Sequence, residues 1–122
     1  MNPRLALTVG AVFGFAFGVP LFVVPAAVLA FSGIAASNDA VALSRGAGAT
    51  LVGLGAIDWL ARDAAGKALR GLLVGNLVVQ ALQLVANGTG LVSGQLPPQA
   101  AGATVLHLVL SGIFVLALRT AR

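Results

Sequence analysis

Four long apolar stretches, separated by short polar or Gly- and Pro-rich segments, dominate the sequence. They run from about Leu5 to Phe31, Arg45 to Leu60, Ala68 to Ala86 and Ala101 to Leu118. A helix that crosses a bilayer needs roughly 20 predominantly apolar residues, and helices satisfy their own backbone groups where water is absent. The pattern predicts an all-α, polytopic membrane four-helix bundle. It forms a single transmembrane domain over residues 1–122, with spans at about 5–24, 43–61, 68–87 and 101–119.

The first apolar stretch is too long for one straight span. Pro20 and Pro25 interrupt it, and proline removes a backbone donor and disfavours helical geometry in the residue before it. We expect a span that ends at about Val24, followed by a short apolar helix over Pro25–Phe31 in or near the interface. One long, kinked helix is the alternative. The stretch far exceeds the roughly 7–15-residue core of a signal peptide, which favours a retained first helix.

The composition excludes a soluble single-domain enzyme. Of the residues, 59% are hydrophobic and 8% are charged, whereas a soluble domain has about 25% charged residues. The chain has no Cys and one His, and Asp39, Asp58 and Asp63 are its only carboxylate side chains. These groups are widely separated, and no phosphate-binding loop, nucleophile elbow or HExxH motif is present. The sequence therefore predicts a non-enzymatic protein with no metal site and no cofactor, apart from an optional lipophilic molecule.

The basic residues indicate orientation rather than nucleic-acid binding, because they stand singly between the apolar stretches. Four crossings place six of them on one side of the membrane and only Arg45 on the other. Short cytoplasmic loops are enriched in Lys and Arg, so both termini are expected in the cytoplasm of a bacterium, with the protein in its inner membrane. The six residues are Arg4, Arg62, Lys67, Arg70, Arg119 and Arg122.

Small residues recur at intervals of four on three of the predicted helices. The first helix has Gly10, Gly14 and Gly18, the second has Ala49 and Gly53, and the third has Gly71 and Gly75. Such residues lie on one helix face and let another backbone approach closely, which is how membrane helices associate. The spacing predicts tight packing inside the bundle, with a homodimer interface or a membrane-protein partner as the alternative.

Polar side chains form a stripe on each of the last two helices. Asn76, Gln80, Gln83 and Asn87 share one face of the third helix, and Thr104, His107 and Ser111 share one face of the fourth. In an antiparallel pair of equal depth, Asn87 lies level with Thr104, Gln83 with His107, and Gln80 with Ser111. The stripes predict hydrogen bonds between the helices. The alternative is a polar-lined cavity in which His107 anchors a lipophilic ligand.

Asp58 is the only acidic residue well inside a predicted span. Acids within the membrane are functional candidates, but Asp58 lies about one turn from the end of its span. Arg62 follows at the spacing of a helical ion pair, and Trp59 is typical of the interface. We expect an Asp58–Arg62 ion pair that fixes the depth of the helix. A proton-coupling carboxylate is the alternative.

Several Gly- and Pro-containing segments of the first half resemble a known group of proteins. They are Gly18-Val19-Pro20, Pro25, Gly33, Arg45-Gly46-Ala47-Gly48 and the segment from Gly53 to Arg62. This arrangement resembles the small bacterial four-helix membrane proteins grouped as DoxX-like. The resemblance implies a compact bundle in the inner membrane that accompanies redox or lipid-related proteins. It implies no catalytic residue.

Three functions are compatible with these features. The first is a non-enzymatic subunit or scaffold of a membrane complex, which docks through its glycine-lined faces. The second is a binder of a quinone, lipid or pigment in a cavity between the third and fourth spans. The third is a small transporter or channel that uses Asp58 and the polar stripe.

Overall fold

The protein is all-helical, as the sequence predicts. A computed structural model describes residues 1–121, and this part of the chain contains no strand. The helices are α1 (Pro3–Val23), α2 (Pro25–Phe31), α3 (Asn38–Leu60), α4 (Gly66–Val92) and α5 (Ala101–Thr120), and a 3-10 turn over Pro98–Ala100 precedes α5. By length and hydropathy, α1, α3, α4 and the Pro98–Thr120 segment are each able to cross a membrane. The expectation of a polytopic four-helix bundle is confirmed.

The proline residues divide the first apolar stretch where the sequence predicts. Val24 has φ −129° and ψ 53°, which is outside the helical region, and Pro25 opens α2 as its first residue. Pro20 lies within the last turn of α1. The separate short helix is therefore confirmed, and a single kinked helix over this region is excluded.

The middle helices are longer than predicted. α3 begins at Asn38, because the Ser37 side chain accepts a hydrogen bond from the Ala40 N–H and caps the helix. α4 continues beyond residue 87, where the predicted span ends, and reaches Val92. The prediction was wrong because glycine is tolerated in membrane helices. The actual turn follows at Gly94, whose φ of 74° suits glycine.

The bundle consists of two helix pairs that meet mainly at one end. α1 packs chiefly against α3, and α4 chiefly against α5, while α1 also touches α4 and α5. The buried apolar core joins α1, α4 and α5. It consists of Ala6, Leu7, Leu69, Leu73, Leu110, Phe114, Ala117 and Ala121.

The start of α1, the end of α5 and the α3–α4 loop lie at this same end, which we call the basic end. Thr120 donates a hydrogen bond to the Met1 carbonyl, and the Arg4 Nε atom lies 3.1 Å from an Asp63 carboxylate oxygen. Gly33, in the α2–α3 connection, faces Gln99 at the opposite end. Four crossings bring the basic residues of α1, of the α3–α4 loop and of α5 to one end, as the sequence predicts. Arg122 lies outside the described residues.

Many large apolar side chains are exposed around the whole bundle. Phe22, Leu43, Leu82 and Leu108 are 48%, 76%, 64% and 62% exposed. Each lies on a different long helix, so the apolar surface is not confined to one patch. A surface of this kind suits a lipid environment, and the protein is a multi-pass membrane protein.

Candidate functional site

The glycines of α1 form a close contact with α3. A Cβ atom added to Gly14 would lie 2.8 Å from the Cα atom of Gly55, and one added to Gly18 would lie 2.9 Å from the Gly48 carbonyl oxygen. These neighbours are backbone atoms, which cannot move aside without shifting a helix. The absence of side chains at Gly14 and Gly18 therefore sets the distance between α1 and α3.

Gly71 and Gly75 of α4 are placed differently. Both residues are exposed, and a Cβ atom at either position would meet nothing within 4 Å. The prediction that they pack inside the bundle was wrong, because the core-facing side of α4 carries Leu69, Leu73 and Gln80. Equal spacing identifies a shared face, but it does not identify which face is turned inward.

Asp58 lies in the interior of the protein, between three other helices. Its side chain is 2% exposed, and one carboxylate oxygen accepts a 2.7 Å hydrogen bond from the Asn76 amide of α4. The other oxygen lies against Gly10 of α1, where a Cβ atom would approach within 2.5 Å, and Phe114 of α5 borders the same position. Gly10 thus leaves the space that the carboxylate occupies.

The expected Asp58–Arg62 ion pair is not present. The Arg62 guanidinium lies 4.1 Å from the centre of the Trp59 ring, and its Nε atom is 4.0 Å from Asp63. α3 ends at Leu60, so Arg62 is outside the helix and the four-residue spacing no longer places it beside Asp58. The prediction was wrong, and Asp58 has no basic partner among the described residues.

A second polar pair joins α4 to α5. The Gln80 side-chain oxygen lies 2.6 Å from the His107 Nδ1 atom, and Gln80 is 8% exposed. Since the amide oxygen accepts, we assign the ring proton to Nδ1. Asn76 and Gln80 are one helical turn apart, so the two polar pairs occupy adjacent levels of α4.

The expected register of this helix pair was wrong by about one turn. His107 pairs with Gln80 rather than with Gln83, which is exposed, and Ser111 donates to the His107 carbonyl oxygen of its own helix. Asn87 is half-buried, and the Thr104 hydroxyl is buried with no partner among the described residues. The connection after Val92 folds back along the end of α4, where the Leu96 N–H donates to the Gly90 carbonyl oxygen, so α5 begins below the last turn of α4 rather than level with its end.

Two apolar grooves open at the surface, away from these polar pairs. One, of about 310 Å³, lies between α1 and α2, and the other, of about 200 Å³, is bordered by Phe22, Ala49 and Val52. Residues of α4 and α5 line neither groove. The first is bordered by Ala16, Phe17, Pro20, Ala27, Val28 and Phe31.

Sequence reasoning selected both members of the Asp58–Asn76 pair but did not join them. Asn76 was predicted as part of the polar stripe of α4, and Asp58 as the acidic residue of the preceding span. An amide and a carboxyl in consecutive spans were the signal from which this pair could have been found. No group of three metal-ligating side chains occurs within residues 1–121.

Comparisons of the chain with protein-family models, curated proteins and solved structures give no match.

Proposed function

We propose that this protein is a non-enzymatic subunit or scaffold of a complex in a bacterial inner membrane, with both termini in the cytoplasm. The observation that supports this function is a set of glycines on the outer faces of α3 and α4 that pack against no other part of the described chain. They are Gly46, Gly53, Gly71 and Gly75. Membership of the DoxX-like group, through the segments that resemble it, is part of the same proposal.

Outward-facing glycines destabilise their helices, and no contact within the described part of one chain compensates for this. Each glycine inside a helix destabilises it by roughly 0.5–1 kcal/mol relative to alanine. On α1, the cost is offset by the close approach of α3 at Gly14 and Gly18. No such contact exists at Gly53 or Gly75 in the described chain. Because small residues are characteristic of interfaces between membrane helices, a partner helix offsets the cost at these positions.

The interior polar groups are consistent with a structural role. Asp58 is hydrogen-bonded to Asn76, and His107 to Gln80, so each pair satisfies groups that are costly to bury alone. Neither groove described above is lined by these side chains. The polar pairs therefore hold helices together without requiring a bound molecule.

Native mass spectrometry of protein extracted gently from its own membrane tests this function. We expect a retained protein partner that is lost in Gly53→Ile and Gly75→Ile. The matched control is Gly112→Ile, which makes the same change at an exposed α5 glycine that has open space around it but no small residue four positions away, unlike Gly53 and Gly75. If the wild type retains a small molecule that is lost in His107→Ala, the protein is a binder of a lipophilic ligand rather than a scaffold. Partner retention in both α3 and α4 variants would contradict docking through these faces.

The burial of Asp58 favours proton-coupled transport as a second candidate function. A carboxylate inside a span, with no basic partner in the described chain, is a functional-site hypothesis by default. Asp58→Asn keeps the shape and the hydrogen bond to Asn76 but removes the titrating group. If the protein couples transport to protons, this variant loses flux in liposomes while its unfolding transition stays near that of the wild type. Unchanged flux would exclude Asp58 from coupling.

A further inference from the structure

The outer face of α3 changes from small to large residues along the helix. This face consists of exposed residues spaced three or four apart, which are Ala42, Gly46, Ala49, Gly53, Ile57 and Leu60. The small residues lie toward Asn38, and the large ones lie toward the basic end. This face is turned away from α1, which packs on Gly48 and Gly55 instead.

Across the membrane, the outer face of α4 shows the opposite order, because α4 runs antiparallel to α3. Its exposed residues are also spaced three or four apart, and the small ones lie nearest the basic end. In chain order they are Gly71, Gly75, Val78, Leu82, Val85 and Thr89. α4 packs on the rest of the bundle through Leu69, Leu73 and Gln80, on its other side.

The Asp58–Asn76 hydrogen bond fixes the relative depth of these two faces. It places Asp58 of α3 and Asn76 of α4 at the same level of the membrane. Because the helices run in opposite directions, each residue toward the start of α3 is matched by one residue toward the end of α4. Two copies in one membrane therefore bring the following positions to equal depth: Gly46 with Thr89, Ala49 with Val85, Gly53 with Leu82, Ile57 with Val78, and Leu60 with Gly75.

At four of these five levels a small residue of one face is opposite a larger residue of the other. Helices pack closely when large and small side chains alternate across the contact, and small residues favour association in membranes. We propose that α3 of one copy packs against α4 of a second copy through these faces. This inference rests on the proposed function, and it identifies the partner as the chain itself, because both halves of the match belong to one sequence.

Two further observations agree with this contact. The 200 Å³ groove bordered by Phe22 and Val52 opens beside Ala49, at the level where Val85 of a second copy lies. Arg45, the basic residue in this part of α3, donates a 3.2 Å hydrogen bond to the Phe22 carbonyl and so turns toward α1. The proposed α3 face is left without charge.

Disulfide cross-linking tests the register directly, because the chain contains no Cys. Two differently tagged copies, one with Ala49→Cys and the other with Val85→Cys, are co-expressed and oxidised in native membranes. We expect a disulfide-linked pair that carries both tags, and likewise for Gly53→Cys with Leu82→Cys. A disulfide requires Cα atoms within about 7 Å. Ala49→Cys with Val78→Cys is displaced by two turns, about 10 Å, and is expected not to cross-link.

Gly90→Cys with Leu96→Cys in one chain is the positive control for oxidation in the membrane preparation, since a Cβ atom at Gly90 lies 3.6 Å from the Leu96 Cβ atom, within the range that a disulfide spans. With that control positive, the absence of both register-matched cross-links overturns the proposal. Cross-linking of Val85→Cys only to itself would also overturn it. If the cross-links fail while mass spectrometry retains a different protein, self-association is wrong and the scaffold function stands. If no cross-link forms and mass spectrometry retains no protein partner, the scaffold function is wrong as well.

Discussion

Gly10, Asp58 and Asn76 form one structural unit, although they belong to three helices. Gly10 provides the space for the carboxylate, and Asn76 provides its hydrogen bond. Burial of a polar group is costly unless the group is hydrogen-bonded. The contribution of Asn76 therefore depends on the presence of Asp58, and it is not a property of the amide alone.

Asn76→Ala leaves the buried Asp58 carboxyl without its side-chain partner. We expect the free energy of unfolding to fall by about 1–3 kcal/mol, the usual cost of an unsatisfied buried group. Denaturant unfolding in detergent measures it. The cost should shrink when Asp58 is already alanine, as in a double-mutant cycle. Asn87→Ala is the matched control on the same helix, and an equal loss there would contradict the assignment.

At the scale of helices, the two pairs are held together in different ways. α1 and α3 approach through backbone contact at glycines such as Gly14 and Gly55. α4 and α5 are joined by apolar packing and by the Gln80–His107 hydrogen bond. The first contact depends on the absence of side chains, and the second depends on their identity and register.

Gly14→Ala tests the contact between α1 and α3. The added Cβ atom would lie 2.8 Å from both the Gly55 Cα atom and the Leu51 carbonyl oxygen, so the helices must separate. We expect destabilisation of about 1–3 kcal/mol from overpacking, measured by thermal unfolding in detergent. Gly112→Ala, which has open space around it, should leave stability unchanged or raise it slightly. Similar behaviour of both variants would show that α1 and α3 are not in close contact.

The register of α4 and α5 is tested by a double-mutant cycle between Gln80→Ala and His107→Ala. Hydrogen bonds between membrane helices contribute about 0.6 kcal/mol on average and up to about 1.7 kcal/mol, and we expect coupling in this range. The same cycle with Gln83→Ala should give no coupling, because Gln83 is exposed. Coupling of His107 to Gln83 in place of Gln80 would restore the register expected from the sequence.

At the scale of the whole molecule, the two ends of the bundle differ. The basic end contains the start of α1, the end of α5, the Arg4–Asp63 ion pair and the buried core. The Arg70 side chain also donates to the Ala121 carbonyl oxygen there, which ties α4 to the end of α5. The opposite end is closed by connections that meet at Gly33 and Gln99. The basic residues at one end are the pattern on which the proposed cytoplasmic orientation of that end rests.

The orientation can be measured with single cysteines, since the wild-type chain has none. Ala65→Cys lies in the α3–α4 loop, whereas Ala36→Cys and Gln95→Cys lie in the connections of the opposite end. We expect a membrane-impermeant thiol reagent on intact cells to label the last two and not Ala65→Cys, which should react only after permeabilisation. Equal labelling of Ala36→Cys and Ala65→Cys would contradict the four-crossing topology.

The fold class could be predicted because it depends on local quantities. The length and hydropathy of each stretch, and the prolines around Val24, were sufficient for the four spans and for α2. The boundaries of α4 were not predicted, since glycine ends helices in water far more readily than in a membrane. The candidate site was predicted as a set of polar residues, but its pairs were not.

The sequence by itself determined that the chain is a helical membrane protein, which residues share a face, and which end is basic, because these follow from hydropathy and from the helical repeat. Only the tertiary structure decided which face is buried and which side chains meet. In the structure Asp58 pairs with Asn76 and not with Arg62, and His107 pairs with Gln80. Gly71 and Gly75 lie on the outer surface. These pairings depend on the rotation and register of one helix against another, which are set by contacts between residues that are distant in sequence.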